Sequence, residues 1–245
     1  MPVVAYLRHG DKVATRETVF RDGTPGTIPA PLSDAGIRQA SLAGRALSPF
    51  EIRVLGSSPV LRAYQTAVGV QYELSAAASF NKGIILSDFI RERAFGRFNN
   101  GCTPEGMAWV QLRAEQAAEG YPDLEHPDRI NRRVEAYLQA SVPYALGLRG
   151  IHVAVTHQCI INAATSKVLG VNELDERFDP GVPPGSVTVI SYTFNPDKEA
   201  NPARVIEGEL VAYGVVPNAN GRFPRPGITK IREAIRADLA LAARK

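Results

Sequence analysis

Cysteine is nearly absent from the 245 residues: only Cys102 and Cys159 occur, in unrelated contexts and without metal-ligand spacing. That excludes a disulfide framework and a cysteine-based zinc site, and it suits a reducing compartment. Histidine is scarce too. The four that occur, His9, His126, His152 and His157, form no cluster in sequence, so neither a metal nor another cofactor is expected. No apolar run approaches the length of a membrane span, and the start Met1-Pro2-Val3 lacks the basic region, long apolar segment and cleavage site of a secretory signal. The expectation is a cytoplasmic protein that does not engage a membrane. Lys and Arg outnumber Asp and Glu only by 28 to 25, and they are dispersed rather than gathered into a stripe, which argues against nucleic acid as a partner. A small anionic substrate fits that modest balance better. Composition leaves open whether the chain pairs as a homodimer.

An apolar fraction of 44% against 22% charged residues is enough to bury one substantial core, so the economical reading is a single domain with an insertion. Short apolar runs alternate with amphipathic segments, the pattern of parallel strands joined by helical crossovers. The class is therefore α/β, a three-layer α/β/α sandwich around a mostly parallel sheet. Strands are expected at Val3 to Leu7, Arg53 to Gly56, Ile84 to Phe89, Ile151 to Thr156, Ser186 to Tyr192 and Val205 to Tyr213. Ser33 can cap a helix with the stripe Ile37, Ala40, Gly44 and Leu47, and Ser58 can cap another with Pro59 at its first position. Further helices are expected from Pro127 to Leu146, bent or ended near Pro143, from His157 to Gly170, and from Ile228 to Ala243. Residues from about 91 to 126 are polar and irregular at first, which suits a small cap over a site, and about 203 to 245 form a C-terminal strand and helix extension.

Chemistry enters at the ends of strands. Arg8 and His9, followed by Gly10, come directly after the run Val3 to Leu7, so a cation and an imidazole are held where a buried strand stops. Ligand sites gather at such strand ends in open α/β sheets. Phosphoryl transfer needs this pair, a nucleophile in line with the leaving oxygen and fixed positive charge around the equatorial oxygens. Arg62 falls in the first turn of the second helix, where the helix dipole disfavours a cation. A guanidinium placed there adds its planar fork to a helix start that already attracts anions, which makes a phosphate clamp. His157 ends the most apolar strand and could simply start the next helix. Paired with His9, it suggests two imidazoles facing one pocket.

Four fragments carry a resemblance to a known family: Arg8-His9-Gly10; Ser57-Ser58-Pro59-Val60-Leu61-Arg62-Ala63-Tyr64-Gln65-Thr66-Ala67; Ile90-Arg91-Glu92-Arg93-Ala94-Phe95-Gly96; and Val153-Ala154-Val155-Thr156-His157. In this order they resemble branch 1 of the histidine phosphatase superfamily, the phosphoglycerate-mutase-like enzymes. The segments Pro31 to Ala40 and Pro184 to Thr188 follow the same pattern, so the resemblance covers about residues 2 to 192. It implies that His9 is phosphorylated, that Arg8, Arg62 and His157 hold the phosphoryl oxygens, and that Glu92 protonates the leaving alkoxide and then activates water. A carboxyl doing this near neutral pH needs a raised pKa, which a cap closing over it could provide, while the nearby arginines would push the other way. Asp11, directly after the nucleophile motif, is the runner-up acid. Two positions depart from the family. Gln158 stands where Gly or Asp commonly follows the second histidine; its backbone amide can still donate to phosphate while its side chain narrows the site. Thr15 stands where many relatives place a phosphate-contacting Asn, and its hydroxyl can serve the same purpose.

The resemblance implies a metal-independent phosphatase acting on a small phosphomonoester. A phosphoglycerate-type mutase is the alternative, but those enzymes carry an Arg pair in the cap, and between Gly101 and Pro122 this chain has only Arg113. A catalytically silent binding module on the same fold is disfavoured, because a dead site has no need of two buried histidines and two arginines around a cavity. Lys12, Arg16, Arg21, Arg93 and Arg97 could rim the pocket, and the Trp109 region could give it an apolar wall.

Overall fold

The computed structural model describes residues 3–13, 30–78, 80, 82–93, 125–145, 150–171, 181–193 and 207–242. The strands are β1 (Val3–Arg8), β2 (Ile52–Ser57), β3 (Ile85–Leu86), β4 (Ile151–Thr156), β5 (Val187–Thr193) and β6 (Glu207–Val215). Between and after them lie α1 (Asp34–Leu47), α2 (Leu61–Ala76), α3 (Pro127–Ala145), α4 (Gln158–Leu169) and α5 (Arg225–Ala242), with one 3-10 turn at Asp88–Ile90. These six strands of the described residues form one sheet in the order β3-β2-β4-β1-β5-β6. β3, β2, β4 and β1 pair in parallel, while β5 runs antiparallel to both β1 and β6. β1 and β4 are thus central, with helices covering both faces, and their residues are buried to match.

Strand alternation divides the core into two layers. Val3, Ala5 and Leu7 of β1, with Ile151, Val153 and Val155 of β4, pack with Ala43, Leu47, Ala63, Ala67 and Leu74 of α1 and α2 and with Ile231 of α5. Val4, Tyr6 and Ala154 face the other way, onto Ile130, Val134 and Leu138 of α3 and Ile160 and Ala164 of α4. Ile52 and Leu55 of β2 share a face although an odd step separates them, because the register of β2 on β4 shifts between Ile52 and Val54. The C-terminal strand and helix belong to the same body: β6 completes the sheet, and Phe223 and Ile231 are buried in its core.

Several expectations need correction. The helix expected to start at Pro59 starts at Leu61, since Ser58 N–H still bonds the Val155 carbonyl at 2.9 Å and Val60 is extended. The strand expected from Ile84 to Phe89 shrinks to two exposed residues, because at the sheet edge β2 alone among the described residues pairs with it and the chain turns at Asp88. Pro143 does not end α3, which continues to Ala145. Ile37, read as part of the buried stripe of α1, is 56% exposed, and that face is formed instead by Gly36, Ala40, Ala43, Gly44 and Leu47. Ser33 does cap α1, accepting from Gly36 N–H at 3.1 Å. The expected cap lies almost entirely in residues 94–124, outside the described residues.

Candidate active site

Two parallel neighbours bring the histidines together. β1 and β4 pair in a register that sets Arg8 opposite Thr156, so His9 and His157 leave the same edge of the sheet side by side, with ring centroids 5.1 Å apart. The backbone around His9 is pinned on both flanks: its N–H donates to the Thr156 carbonyl at 2.9 Å, and the Gly185 N–H donates to the His9 carbonyl at 3.2 Å. Gly10 follows because nothing larger fits. A Cβ there would lie 2.5 Å from the Gly36 carbonyl oxygen at the start of α1.

The His9 ring is 2.7 Å from the Gly10 carbonyl through Nδ1, which must therefore carry the proton, leaving the Nε2 lone pair free to accept. Arg62 fills that position, donating from Nε to His9 Nε2 at 3.1 Å. Burial first, then the neighbouring His157 and the Arg62 guanidinium, hold His9 well below its ordinary pKa, so the ring is neutral at physiological pH. This is the protonation state a nitrogen nucleophile needs.

Arg62 is the hub. It is buried in the first turn of α2, and its NH2 lies 3.0 Å from Glu92 Oε2 and 3.4 Å from His157 Nδ1. Among the described residues no side chain caps that helix start or the start of α4, whose cap position is His157 itself. The His157 ring is engaged elsewhere: Nε2 is 2.9 Å from Ser58 Oγ and Nδ1 is 3.1 Å from Glu92 Oε2. With the Ser58 hydroxyl donating to Nε2, the Nδ1 proton points at Glu92 and the pocket. Ser58, expected as a helix cap, is instead buried against this ring as the partner of its Nε2, and the Glu92 carboxylate, which can only accept, sets the proton on Nδ1. Sequence gave its position no such signal, because the bond spans 99 residues.

Glu92 sits on the strap that follows the 3-10 turn. That strap is tied down by Thr156 Oγ1 donating to the Ile90 carbonyl at 2.7 Å, and by Arg133 donating to the Arg91 carbonyl at 2.9 Å while pairing with buried Glu125 at 2.8 Å. The raised pKa that the acid role needs is not found. Burial does push Glu92 up, but His157 beside it and the Arg62 guanidinium outweigh burial and hold the carboxyl well below its usual range. Glu92 is therefore a carboxylate.

Arg8 reaches across to the carbonyl of Val182, donating from NH1. Burial lowers its pKa, although Glu92 opposes this, and the guanidinium stays charged. Gln158 is the first residue of α4, and its amide lies flat on Gly181, where a Cβ would come within 1.8 Å of Nε2. That backbone has φ +86°, so glycine serves both the turn and the close approach. Lys12 lies close enough for its charge to couple to Arg62, Glu92 and Arg8. Asp11 is turned to α1, where its Oδ2 accepts from Ser33 Oγ at 2.9 Å. Thr15, Arg16, Arg21, Arg97, Trp109 and Arg113 lie outside the described residues.

Folding also assembles a donor set that the sequence hides. His9, Glu92 and His157 each bring one ligand atom within 4.8 Å of the others, a group that could hold a transition metal. The Arg62 guanidinium lies among these donors and supplies positive charge where a cation would otherwise sit. Among the described residues no helix is long and apolar enough to cross a membrane.

Comparison with known proteins follows the same lines. The chain is 28% identical over 198 residues to a 2,3-bisphosphoglycerate-dependent phosphoglycerate mutase of Thermoplasma acidophilum, covering 78% of this chain and 87% of that one. Its fold matches a structure described as mycobacterial hydrolase 2, with a TM-score of 0.67 at 19% identity over 98% of this chain and 97% of that chain. A mycobacterial glucosyl-3-phosphoglycerate phosphatase gives a TM-score of 0.62 at 20% identity over 87% and 98% of the two chains. The model of the histidine phosphatase superfamily (branch 1) matches residues 4–198. That span runs from the strand that delivers His9 past the one that delivers His157, and the chain belongs to this superfamily.

Proposed function

We propose that the protein is a metal-independent phosphatase that hydrolyses a small phosphomonoester through a phosphohistidine on His9. The observation that carries this reading is the His9 ring itself: neutral, with Nδ1–H committed to Gly10 and Nε2 facing a buried guanidinium. A phosphoryl group entering the pocket takes the Arg62 Nε–H for its own oxygens and frees the Nε2 lone pair for in-line attack. Arg8, Arg62 and the Nδ1–H of His157 then meet the charge on the equatorial oxygens. The P–O bond to the leaving group breaks as the N–P bond forms, and Glu92, protonated by a substrate that enters as its monoanion, gives that proton to the departing oxygen. Glu92, again a carboxylate, removes a proton from water, whose oxygen attacks phosphorus and releases inorganic phosphate and the neutral His9.

Thr15 and the backbone amide of Gln158 are proposed as further phosphate contacts. The charge of Lys12 near the pocket favours a substrate with negative charge beyond the one phosphate. The likeness to the Thermoplasma mutase favours a second reading, transfer of the phosphoryl group to an isomeric hydroxyl. Only Arg113 stands between Gly101 and Pro122 to grip a substrate carboxylate, which favours hydrolysis.

The test is phosphorus NMR on a panel of phosphorylated metabolites that includes 2- and 3-phosphoglycerate, with chelator present throughout. Release of inorganic phosphate without positional exchange is expected; exchange faster than release would make the enzyme a mutase, and neither would make it a binding module. Arg62→Ala should slow release by about 100-fold to 1,000-fold, the scale of removing one oxyanion donor. The loss should be alike for alkyl and aryl esters, because the phosphoryl charge is common to both. A loss confined to one ester class would remove Arg62 from the clamp.

A further inference from the structure

Glu92 divides its two oxygens between different neighbours. Oε2 faces the pocket, 3.1 Å from His157 Nδ1 and 3.0 Å from Arg62 NH2. Oε1 faces away from it, toward α4, where the thiol of Cys159 donates to it at 2.9 Å and the Arg93 N–H approaches at 3.3 Å. The same Arg93 N–H is 3.3 Å from the Cys159 sulfur, so thiol, backbone amide and carboxylate close a small ring behind the pocket. Cys159 is buried and unpaired by any disulfide.

We infer that Cys159 is a positioning residue for the proton-donor carboxylate, holding Glu92 Oε1 so that Oε2 alone is presented to the leaving group. The inference rests on the acid role proposed above for Glu92. Burial, and next the charge of Glu92, push the thiol well above its usual range, so the sulfur keeps its proton and acts only as a donor. The choice of a thiol has a consequence. A hydroxyl in its place would donate more strongly to the ionised carboxylate and draw it further from protonation, whereas a thiol is a weak donor. Cys159 therefore fixes the orientation of Glu92 while adding little to the forces that already keep it ionised. The groups that face it come from every element around it: His157 from the end of β4, Arg62 from α2, Arg8 and the neutral His9 from the end of β1, and Lys12 beyond them, with the cations among them keeping it ionised. On its own strap, Arg91 donates to the Glu92 carbonyl at 3.2 Å.

The experiment compares Cys159→Ala, Cys159→Ser and Glu92→Gln in the full-length protein, following kcat against pH for an alkyl and an aryl phosphate. Removing a donor to the charged form raises proton affinity, so the alkaline limb of the alkyl profile should move to higher pH in Cys159→Ala, by less than about half a unit, since a thiol donates more weakly than an ordinary hydrogen-bond donor. In Cys159→Ser it should move to lower pH. The alkyl-to-aryl rate ratio of Cys159→Ala should also fall by about threefold to tenfold as the carboxylate loses its orientation. A packing defect alone would slow both esters together and move both limbs the same way or not at all. Limbs that stay in place, or shift in the same direction in the two variants, overturn the inference while Glu92→Gln still shows its selective loss. A Glu92→Gln enzyme that keeps the wild-type ratio removes the acid role itself, and the inference falls with it.

Discussion

His9→Ala should lower kcat by roughly 10,000-fold or more, since it removes the nucleophile of a covalent route rather than one contact among several. Rapid alkaline quench of the wild type during turnover of a labelled substrate should leave phosphate on His9 that survives base and is lost on later acidification. The variant should carry none. Label on another residue, or full activity in the variant, would end the phosphohistidine reading. The pH profile carries a second check. Protonation of His9 abolishes its lone pair, and its pKa is lowered, so the acid limb set by this ring should lie well below 6.5 and activity should be lost as pH falls through it. A limb at or above 6.5 would mean that the ring is not shielded as the structure has it.

Glu92→Gln should cost an alkyl phosphate about 100-fold to 10,000-fold, the usual scale for general acid catalysis, and an aryl phosphate far less, since its leaving group hardly needs a proton. Equal losses for the two, with the selective loss appearing in Asp11→Asn, would move the acid role to Asp11. Glu92 begins as a carboxylate, so its proton has to arrive with the substrate. A phosphomonoester keeps one proton below its second pKa of about 6, and a dianion drawn in beside Glu92 would meet a like charge. Binding of the monoanion gives the same total charge as a dianion with a protonated Glu92, and the proton can pass to whichever oxygen holds it better. For alkyl substrates kcat/KM should therefore decline as pH rises above about 6. A profile that is flat from pH 6 to pH 8 would show that the proton has another source.

Sequence patterns that are local survived contact with the structure; those settled by distant partners did not. The Ser33 cap, the buried runs of β1 and β4 and the helix faces carried by Ile130, Val134 and Leu138 are written in short-range periodicity, and the fold places them as expected. Ser58-Pro59 reads locally as a helix start, yet a strand hydrogen bond to Val155 and the ring of His157 claim Ser58 first. Ile84 to Phe89 has strand composition, but an edge with one parallel partner does not sustain it. In the site, Arg8, His9, Arg62 and His157 stand out because each interrupts an apolar strand end or a helix start. Glu92 was visible only through the family resemblance, and the direction of its pKa depends on His157, which lies 65 positions away along the chain. Cys159 gave no signal at all. Its neighbours Gln158 and Ile160 do not mark it, and only folding sets its sulfur on Glu92.

The pairing of β1 with β4 has a consequence for how the enzyme fails. Adjacent strands in a sheet stand about 4.8 Å apart, and the two imidazoles, each one residue beyond the last paired position, are 5.1 Å apart. Their separation is thus inherited from the innermost hydrogen-bond ladder of the molecule, whose amides open only when the whole sheet opens. Heat or denaturant should then extinguish chemistry and tertiary structure along one curve, while the residues around the mouth can be exchanged without moving the reacting atoms. Selection acting on substrate choice has a free hand at the rim because the distance that matters for bond-making is stored in the backbone.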